Sequence, residues 1–184
     1  MKKVRLLFAS VLAVATISFA TVNAWSYVPK TDDPVRSTEQ KVYHELLKLP
    51  HYGVFDYIGF TVNGTTVTLT GKTYSLGTKA AAARYVKDIP GVSNVINNIE
   101  ELPLSSFDDR IRRQALRTFS DHGLSGYFWE TDPDVRFIVQ NGRVTLEGFV
   151  HGQGDKDAMN ILANGISGVF SVQNNLVVGK PMYR

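Results

Sequence analysis

The chain has 184 residues, with 20 Lys and Arg, 17 Asp and Glu and no cysteine. Three of the basic residues lie within the first 24 positions, so the remainder carries 17 basic and 17 acidic residues. Nucleic-acid-binding domains are normally basic, and this balance predicts no nucleic-acid partner. Without cysteine the fold has no disulfides, and the residue that carries a lipoprotein anchor is missing, so we predict that the protein is not a lipoprotein.

The first 24 residues have the pattern of a secretory signal peptide. The three basic residues precede an apolar run from 6 to 20, and Val22 and Ala24 place small residues at the −3 and −1 positions of a cleavage site. The run is shorter than the roughly 20 residues that span a bilayer; a retained N-terminal anchor is the alternative. We predict a periplasmic or secreted protein without an integral membrane segment after cleavage, beginning with an extension over residues 25–37.

An internal repeat organises the rest of the chain. Residues 67–101 align without a gap to residues 144–178, and 13 of the 35 positions are identical at this offset of 77. Because chance does not produce such agreement at one fixed offset, the pattern indicates a duplicated domain. We predict domains at residues 38–102 and 103–179, with a C-terminal tail at 180–184.

The elements follow the same order in both copies. A helical spacing of apolar residues covers 38–49, with Thr38 as its N-cap, and a second such helix starts at Ser105 or Ser106 and ends near residue 121. The first strands are predicted over 55–62 and 135–140.

Asn-Gly pairs mark a hairpin turn after the first strand of each copy. They are Asn63-Gly64 and Asn141-Gly142, and Asn-Gly tolerates the positive φ angles of tight hairpins. The first copy has one more residue between this pair and the next strand, which predicts a longer hairpin loop there. The second strands then end in the shared glycines Gly71 and Gly148.

A second helix is predicted over 77–89 and 154–166. Gly91 and Gly168 follow, where a chain leaving a helix requires a positive φ. The last strands are predicted over 92–100 and 169–178.

This order predicts an α/β fold of the α+β kind with two tandem αββαβ domains. Each domain has a three-stranded mixed sheet with two helices on one face. The linker at 102–104 is short, so we expect the domains to pack against each other.

The sequence resembles the BON family of cell-envelope proteins. The resemblance rests on the hairpin pattern Val-x-Asn-Gly-x-x-Val-Thr-Leu-x-Gly, on Lys and Ala at the start of the next helix, and on Gly-Val-x-x-Val-x-Asn-Asn. Both copies contribute, over about 38–101 and 105–178. The resemblance implies an αββαβ fold and an envelope role: phospholipid contact, outer-membrane integrity, protection from osmotic stress, or holding other exported proteins. It carries over no catalytic residue, and this chain differs from the lipoproteins of the family in lacking cysteine.

No pattern in the sequence predicts an enzyme, a cofactor or a metal. Gly71-Lys72-Thr73 resembles the end of a phosphate-binding loop, but Thr66 stands where that loop needs its first glycine. No Gly-x-Ser-x-Gly elbow is present. The histidines have neither an i, i+4 pair nor a cysteine partner, and surface or capping roles are expected for them. They are His44, His51, His122 and His151.

Arg110, Arg113 and Arg117 form the first candidate binding feature. Their i, i+3, i+7 spacing places them on one face of the first helix of copy two, beside an apolar stripe. A cationic band beside apolar residues is typical of helices that contact anionic headgroups. The alternative is an ordinary solvated helix face whose arginines are offset by Asp108 and Asp109.

Tyr127, Phe128 and Trp129 form the second candidate. They lie in a stretch that makes copy two about seven residues longer than copy one between the helix and the turn. Three consecutive aromatics cannot all face one side of a strand, so we expect at least one to be exposed or to pack against the other domain. Packing between the domains, or as a covering flap, is the alternative to a binding role.

The leading hypothesis is an exported, non-enzymatic module that binds anionic phospholipid or another envelope surface through copy two. The alternative is a chaperone-like or scaffold protein that holds exported proteins and has no lipid affinity.

Overall fold

The computed structural model describes residues 34–128 and 132–179, which belong to one compact unit. The predicted signal peptide, the extension up to residue 33 and the C-terminal tail lie outside the described residues. The first domain comprises α1 (Pro34–Leu47), β1 (Tyr57–Asn63), β2 (Thr66–Thr73), α2 (Thr78–Lys87) and β3 (Asn94–Glu101). The second comprises α3 (Ser106–Asp121), β4 (Val135–Gln140), β5 (Arg143–Val150), α4 (Gln153–Asn164), β6 (Ser171–Asn174) and β7 (Val177–Val178).

Both domains have the mixed sheet that the order of elements predicts. In the first, β2 is central, antiparallel to β1 and parallel to β3. In the second, β5 is antiparallel to β4 and parallel to β6 and β7. A two-residue turn suffices for the antiparallel pair, whereas the parallel pair needs the helical crossover that α2 and α4 supply. The α+β fold with two αββαβ copies is confirmed.

Each domain buries an apolar core between its helices and one face of its sheet. In the first domain, alternate strand residues such as Val67 and Leu69 meet Val42 and Leu46 of α1 and Val86 of α2 in one cluster. The second core repeats this scheme with larger side chains. The opposite face of each sheet carries the polar members of the same alternating strands.

The two hairpin turns have the same length, so the prediction of a longer loop in copy one was wrong. Asn63 pairs with Thr66 and Gln140 pairs with Arg143, which leaves two loop residues in each hairpin. The Asn-Gly pair is displaced by one position instead. In copy two Asn141 has φ 51 and Gly142 φ 71, as a type I′ turn requires.

Other element boundaries differ modestly from the sequence pattern. Helix α1 begins at Pro34, so Thr38 lies inside it and is not the N-cap; proline at the first position of a helix loses no hydrogen bond. The last strand of copy two is split into β6 and β7 around Asn175 and Leu176, although both parts keep one register on β5. Gly91 (φ 99) and Gly168 (φ 93) have the predicted positive φ.

Gly71 and Gly148 recur because the chains approach too closely for a side chain. Both have φ 117. A Cβ would lie 2.1 Å from the carbonyl oxygen of Tyr57 at Gly71, and 2.0 Å from that of Asp134 at Gly148. The clash is with backbone, which cannot swing aside, so both strands require glycine for their shape.

The repeated Asn97 and Asn174 perform one structural task in both domains. Their side-chain amides donate to the carbonyls of Lys79 (2.8 Å) and Lys156 (3.0 Å), in the first turn of α2 and α4. Their side-chain oxygens accept from the amide two residues further on. Each asparagine therefore fixes the crossover helix to the last strand.

Arg136 joins the two domains. Its guanidinium is buried, lies 4.1 Å from the ring centroid of Tyr52, and donates to the carbonyls of Gly53 (2.8 Å) and Asp56 (3.3 Å). Loss of hydration raises the pKa of Tyr52, and the nearby guanidinium opposes that rise. The planar guanidinium thus stacks on an aromatic ring while its N–H groups satisfy loop carbonyls.

Arg112 forms a second junction between the domains. Its guanidinium is 2 % exposed and lies 4.2 Å from the ring centroid of Tyr74 in the first domain. It also donates to Asp109 (2.7 Å) and to the carbonyl of Val139 (2.6 Å). The expectation that the domains pack against each other therefore holds for the described residues.

Candidate interface of the second domain

Helix α3 is anchored through its first turn. Ser105 is the N-cap, and its side chain accepts from the amide of Asp108 at 3.2 Å. The carboxylate of Asp108 is 1 % exposed and accepts from the turn amides of Asn141 (2.9 Å) and Gly142 (2.8 Å). The start of α3 and the β4–β5 turn are thereby held together as one end of the domain.

The predicted arginine face is on the surface. Arg110, Arg113 and Arg117 are all exposed, and within the described part of the chain none of them forms an ion pair. Asp108 binds the turn amides and Asp109 binds Arg112, so the two carboxylates expected to offset this face are engaged elsewhere. Within residues 34–128 and 132–179, this face therefore carries three cations that are not paired with an acid.

An exposed phenylalanine adjoins this face and was missed by the sequence reasoning. Phe170 is 76 % exposed and stacks on Phe107 of α3, with ring centroids 6.0 Å apart. The guanidinium of Arg110 lies 5.6 Å from the centroid of Phe107. Apolar rings and a cation thus meet at the N-terminal end of α3. Comparison of the two copies at the offset of 77 residues could have revealed Phe170, because the corresponding residue of copy one is the polar Ser93.

We call this region the α3 surface. It comprises Phe107, Arg110, Arg113, Arg117 and Phe170. Leu104, 72 % exposed, immediately precedes the N-cap of the same helix. A cluster of apolar side chains beside cations is the composition expected of a surface that meets anionic headgroups.

The aromatic segment has a different position from the arginines. Tyr127 and Phe128 are 6 % and 4 % exposed and belong to the core of the second domain, where the Phe128 ring stacks on Phe119 at 4.9 Å. Neither ring therefore faces solvent, and the core that they belong to is also in contact with Val54 and Phe55 of the first domain. Trp129 lies outside the described residues.

Tyr127 also has a polar role at the edge of that core. Its hydroxyl donates to Asp155 (2.6 Å), accepts from the amide of His151 (3.0 Å) and lies 2.8 Å from Nδ1 of His151. Burial is the main reason that the pKa of Tyr127 is raised, and the hydrogen bond to Asp155 adds to it. The longer segment of copy two thus fixes the connection between β5 and α4.

Neither a metal site nor a membrane-spanning helix is found in residues 34–128 and 132–179. No three His, Cys, Asp or Glu side chains in these ranges are grouped so that they could hold a metal ion. No helix there is both long and apolar enough to cross a bilayer.

Comparison with known proteins identifies the class to which this tandem α+β architecture belongs. The model of the BON domain matches twice, over residues 35–103 and 108–180. The chain belongs to the BON domain family.

Other comparisons add only distant similarity. No curated protein matches the chain. Among solved structures, the C-terminal domain of CdsD, the structural protein of the type III secretion system of Chlamydia trachomatis, is 12 % identical with a TM-score of 0.31; the match covers 80 % of this chain and 98 % of that one. A second CdsD structure is 12 % identical with a TM-score of 0.32 and coverages of 79 % and 94 %.

Proposed function

We propose that the protein is a non-enzymatic module of the cell envelope that contacts anionic phospholipid through the α3 surface. The proposal rests chiefly on the contact of exposed Phe170 with Phe107, whose ring is also in reach of Arg110. The alternative, an ordinary solvated helix face, does not explain why a phenylalanine ring is exposed beside the arginines. Membership of the BON family supports an envelope role.

The chemistry of the α3 surface suits the boundary between headgroups and acyl chains. Burial of a phenylalanine side chain contributes about 1.5–3 kcal/mol, and a basic residue close to an anionic surface about 1 kcal/mol. Arg113 and Arg117 extend the cationic face along α3 from the aromatic pair. The rings would enter the interface while the guanidinium groups bind phosphate oxygens.

Vesicle sedimentation tests this proposal. The purified protein should co-sediment with vesicles of phosphatidylglycerol and phosphatidylethanolamine and much less with phosphatidylcholine alone. Phe170→Ser should weaken partitioning about tenfold, as should Arg113→Ser combined with Arg117→Ser, because each removes more than about 1.4 kcal/mol of interaction. Added salt should weaken binding further.

Matched controls come from equally exposed residues elsewhere. Ile161, 70 % exposed on α4, gives Ile161→Ser as the apolar control, and exposed Arg84 in α2 gives Arg84→Ser as the charge control. Both should leave sedimentation unchanged. Absence of binding to anionic vesicles at low salt contradicts the proposal. If the protein instead suppresses aggregation of exported proteins equally well with and without the arginine changes, the chaperone-like alternative holds.

We also propose that residues 1–24 direct export and are then removed. The positive n-region, the apolar run and the small residues before the junction support this. Mass spectrometry of the protein from the envelope fraction should give an N-terminus at Trp25. Recovery of the uncleaved chain from membranes would contradict cleavage and would indicate an N-terminal anchor.

A further inference from the structure

A polar cleft of about 360 Å³ lies on the face of the second sheet opposite its helices. The core-facing residues of β5 are Val144 and Leu146, so Arg143 and Thr145 point to the other face. The register aligns Gln140, Arg143 and Ser171 in one row across β4, β5 and β6. The volume lies within the range of sites for small molecules.

A parallel row completes the floor of the cleft. It consists of Ile138, Thr145 and Gln173. Together the two rows present side-chain amides and hydroxyls, which donate to and accept from the hydroxyl groups of a ligand. Ile138 is 3 % exposed and supplies an apolar base among these polar groups.

The first domain supplies one wall. Lys72 on β2 contributes to the lining and hydrogen-bonds Gln140, while Glu100 lies 3.4 Å from the Lys72 ammonium and accepts from the Gln140 amide. The glutamate therefore offsets the charge of Lys72. This network fixes the wall against β4 and makes the cleft a feature of the two-domain protein.

Arg143 gives the cleft its charge. It is exposed, and within the described residues no hydrogen bond or ion pair of its side chain is found. Among the residues that the structure describes, no acidic side chain lines the cleft. A free guanidinium presents a planar fork of donors that matches a carboxylate or a phosphate.

The first domain offers an internal comparison, because its sheet has the same register. Thr66 stands where Arg143 stands, and Ile96 where Gln173 stands, on the corresponding face. The cation and the amide are therefore specific to the second copy. The fold itself accommodates Thr and Ile at these places, so exchange of the residues between copies is a mild substitution.

We propose that this cleft binds a hydroxyl-rich anion of the size of a sugar acid or sugar phosphate. Arg143 holds the carboxylate or phosphate, and Gln173, Thr145 and Ser171 hydrogen-bond the hydroxyl groups. The cleft lies on the open face of the sheet, whereas the α3 surface consists of residues of α3 and of Phe170, the residue before β6. The two sites use different side chains, so each assignment has its own test.

Titration of the 15N-labelled protein with four probes, followed by amide chemical shifts, tests the site. D-glucuronate or glucose 6-phosphate should shift amides of β5 and β6, with glucose and inorganic phosphate each at least about tenfold weaker. If only glucuronate saturates the site, the ligand is a carboxylate. If only glucose 6-phosphate does so, the ligand is a phosphate. Equal affinity for inorganic phosphate and glucose 6-phosphate, or no shift with any probe, overturns the proposal.

Two variants test recognition of the anionic group and recognition of the hydroxyl groups separately. Arg143→Thr should abolish saturable binding, and Gln173→Ile should weaken the sugar anion about fivefold or more while leaving the weak effect of phosphate unchanged. Arg84→Thr removes the same charge from an exposed position on α2, outside the cleft, and should bind as the parent does. An otherwise unchanged spectrum shows that the Arg143→Thr protein is folded. If this folded variant still binds the sugar anion, the assignment is overturned.

Discussion

The guanidinium of Arg136, on β4 of the second domain, lies 4.1 Å from the centroid of the Tyr52 ring in the first domain. The same group donates to two carbonyls of the loop that follows Tyr52. One side chain therefore couples the domains through stacking and hydrogen bonds at once. A buried carbonyl left without its donor costs about 1–3 kcal/mol.

Arg136→Met should therefore lower the free energy of unfolding by about 2–4 kcal/mol, since two carbonyls and the ring lose their partner. Urea denaturation followed by circular dichroism measures the change. We expect the parent to unfold in one transition and the variant to show an earlier transition of one domain. Arg84→Met, on the exposed face of α2, is the control and should change stability by less than about 0.5 kcal/mol. An unchanged midpoint for Arg136→Met would refute the coupling.

The repeated asparagines should be equivalent in energy. Asn97→Ala and Asn174→Ala each remove one hydrogen bond donated to a helix carbonyl and one accepted from the amide two residues further on, so each should cost about 1–3 kcal/mol. Thermal denaturation of both variants measures this. Asn98→Ala, at the exposed neighbouring position, should have a much smaller effect. If only one of the two variants loses stability, the two asparagines share the same hydrogen bonds but do not contribute equally to stability.

Removal of the Tyr127 hydroxyl should destabilise the second domain. Tyr127→Phe keeps the ring in the core but leaves Asp155 and the amide of His151 without that partner, at a cost of about 1–2 kcal/mol. Differential scanning calorimetry reports the shift in melting temperature. Tyr85→Phe is a fair comparison because that ring is only partly buried against the first core. Equal shifts in the two variants would argue against the role assigned to the hydroxyl.

The raised pKa of Glu147 predicts that replacing its carboxyl group by a neutral side chain stabilises the protein, and that the gain depends on pH. Its pKa is raised above 4.5 mainly by desolvation, which the hydrogen bond from Asn175 only partly opposes. The folded state then holds the proton more tightly than the unfolded chain, so this group lowers stability as pH rises from about 4.5 through its folded pKa. Glu147→Gln should raise the melting temperature at pH 7 and not at pH 4. A gain of the same size at both values would refute this explanation.

The repeat made most of the fold predictable from the sequence. Positions such as Gly71 and Gly148 recur because backbone geometry leaves no alternative residue, and the alternating core residues of the second strands follow directly from the period of a strand. The hairpin loop of copy one was harder. Asn63 ends the strand there, so the Asn-Gly pair alone does not fix which residues occupy the turn.

The candidate site was only partly predictable for a physical reason. Helical spacing placed Arg110, Arg113 and Arg117 on one exposed face, because that spacing is a local property. Burial of Arg112 beside them depends on a tyrosine ring 38 positions earlier, and burial of Arg136 depends on a loop in the other domain. Such contacts between domains produce no periodic pattern in the sequence. Phe170 was not predicted because it belongs to no repeated motif: its counterpart in copy one is Ser93.

Strand β4 illustrates what the tandem arrangement requires of its second half. The strand lies at the edge of its sheet, is buried from Val135 to Val139, and donates its Phe137 amide to the Val54 carbonyl of the first domain at 2.7 Å. Expressed alone, the second domain would present an apolar strand edge with open hydrogen-bonding groups, the kind of surface that recruits other chains into aggregates. The first domain thus covers this edge of β4, and removing the first domain should make the second prone to self-association.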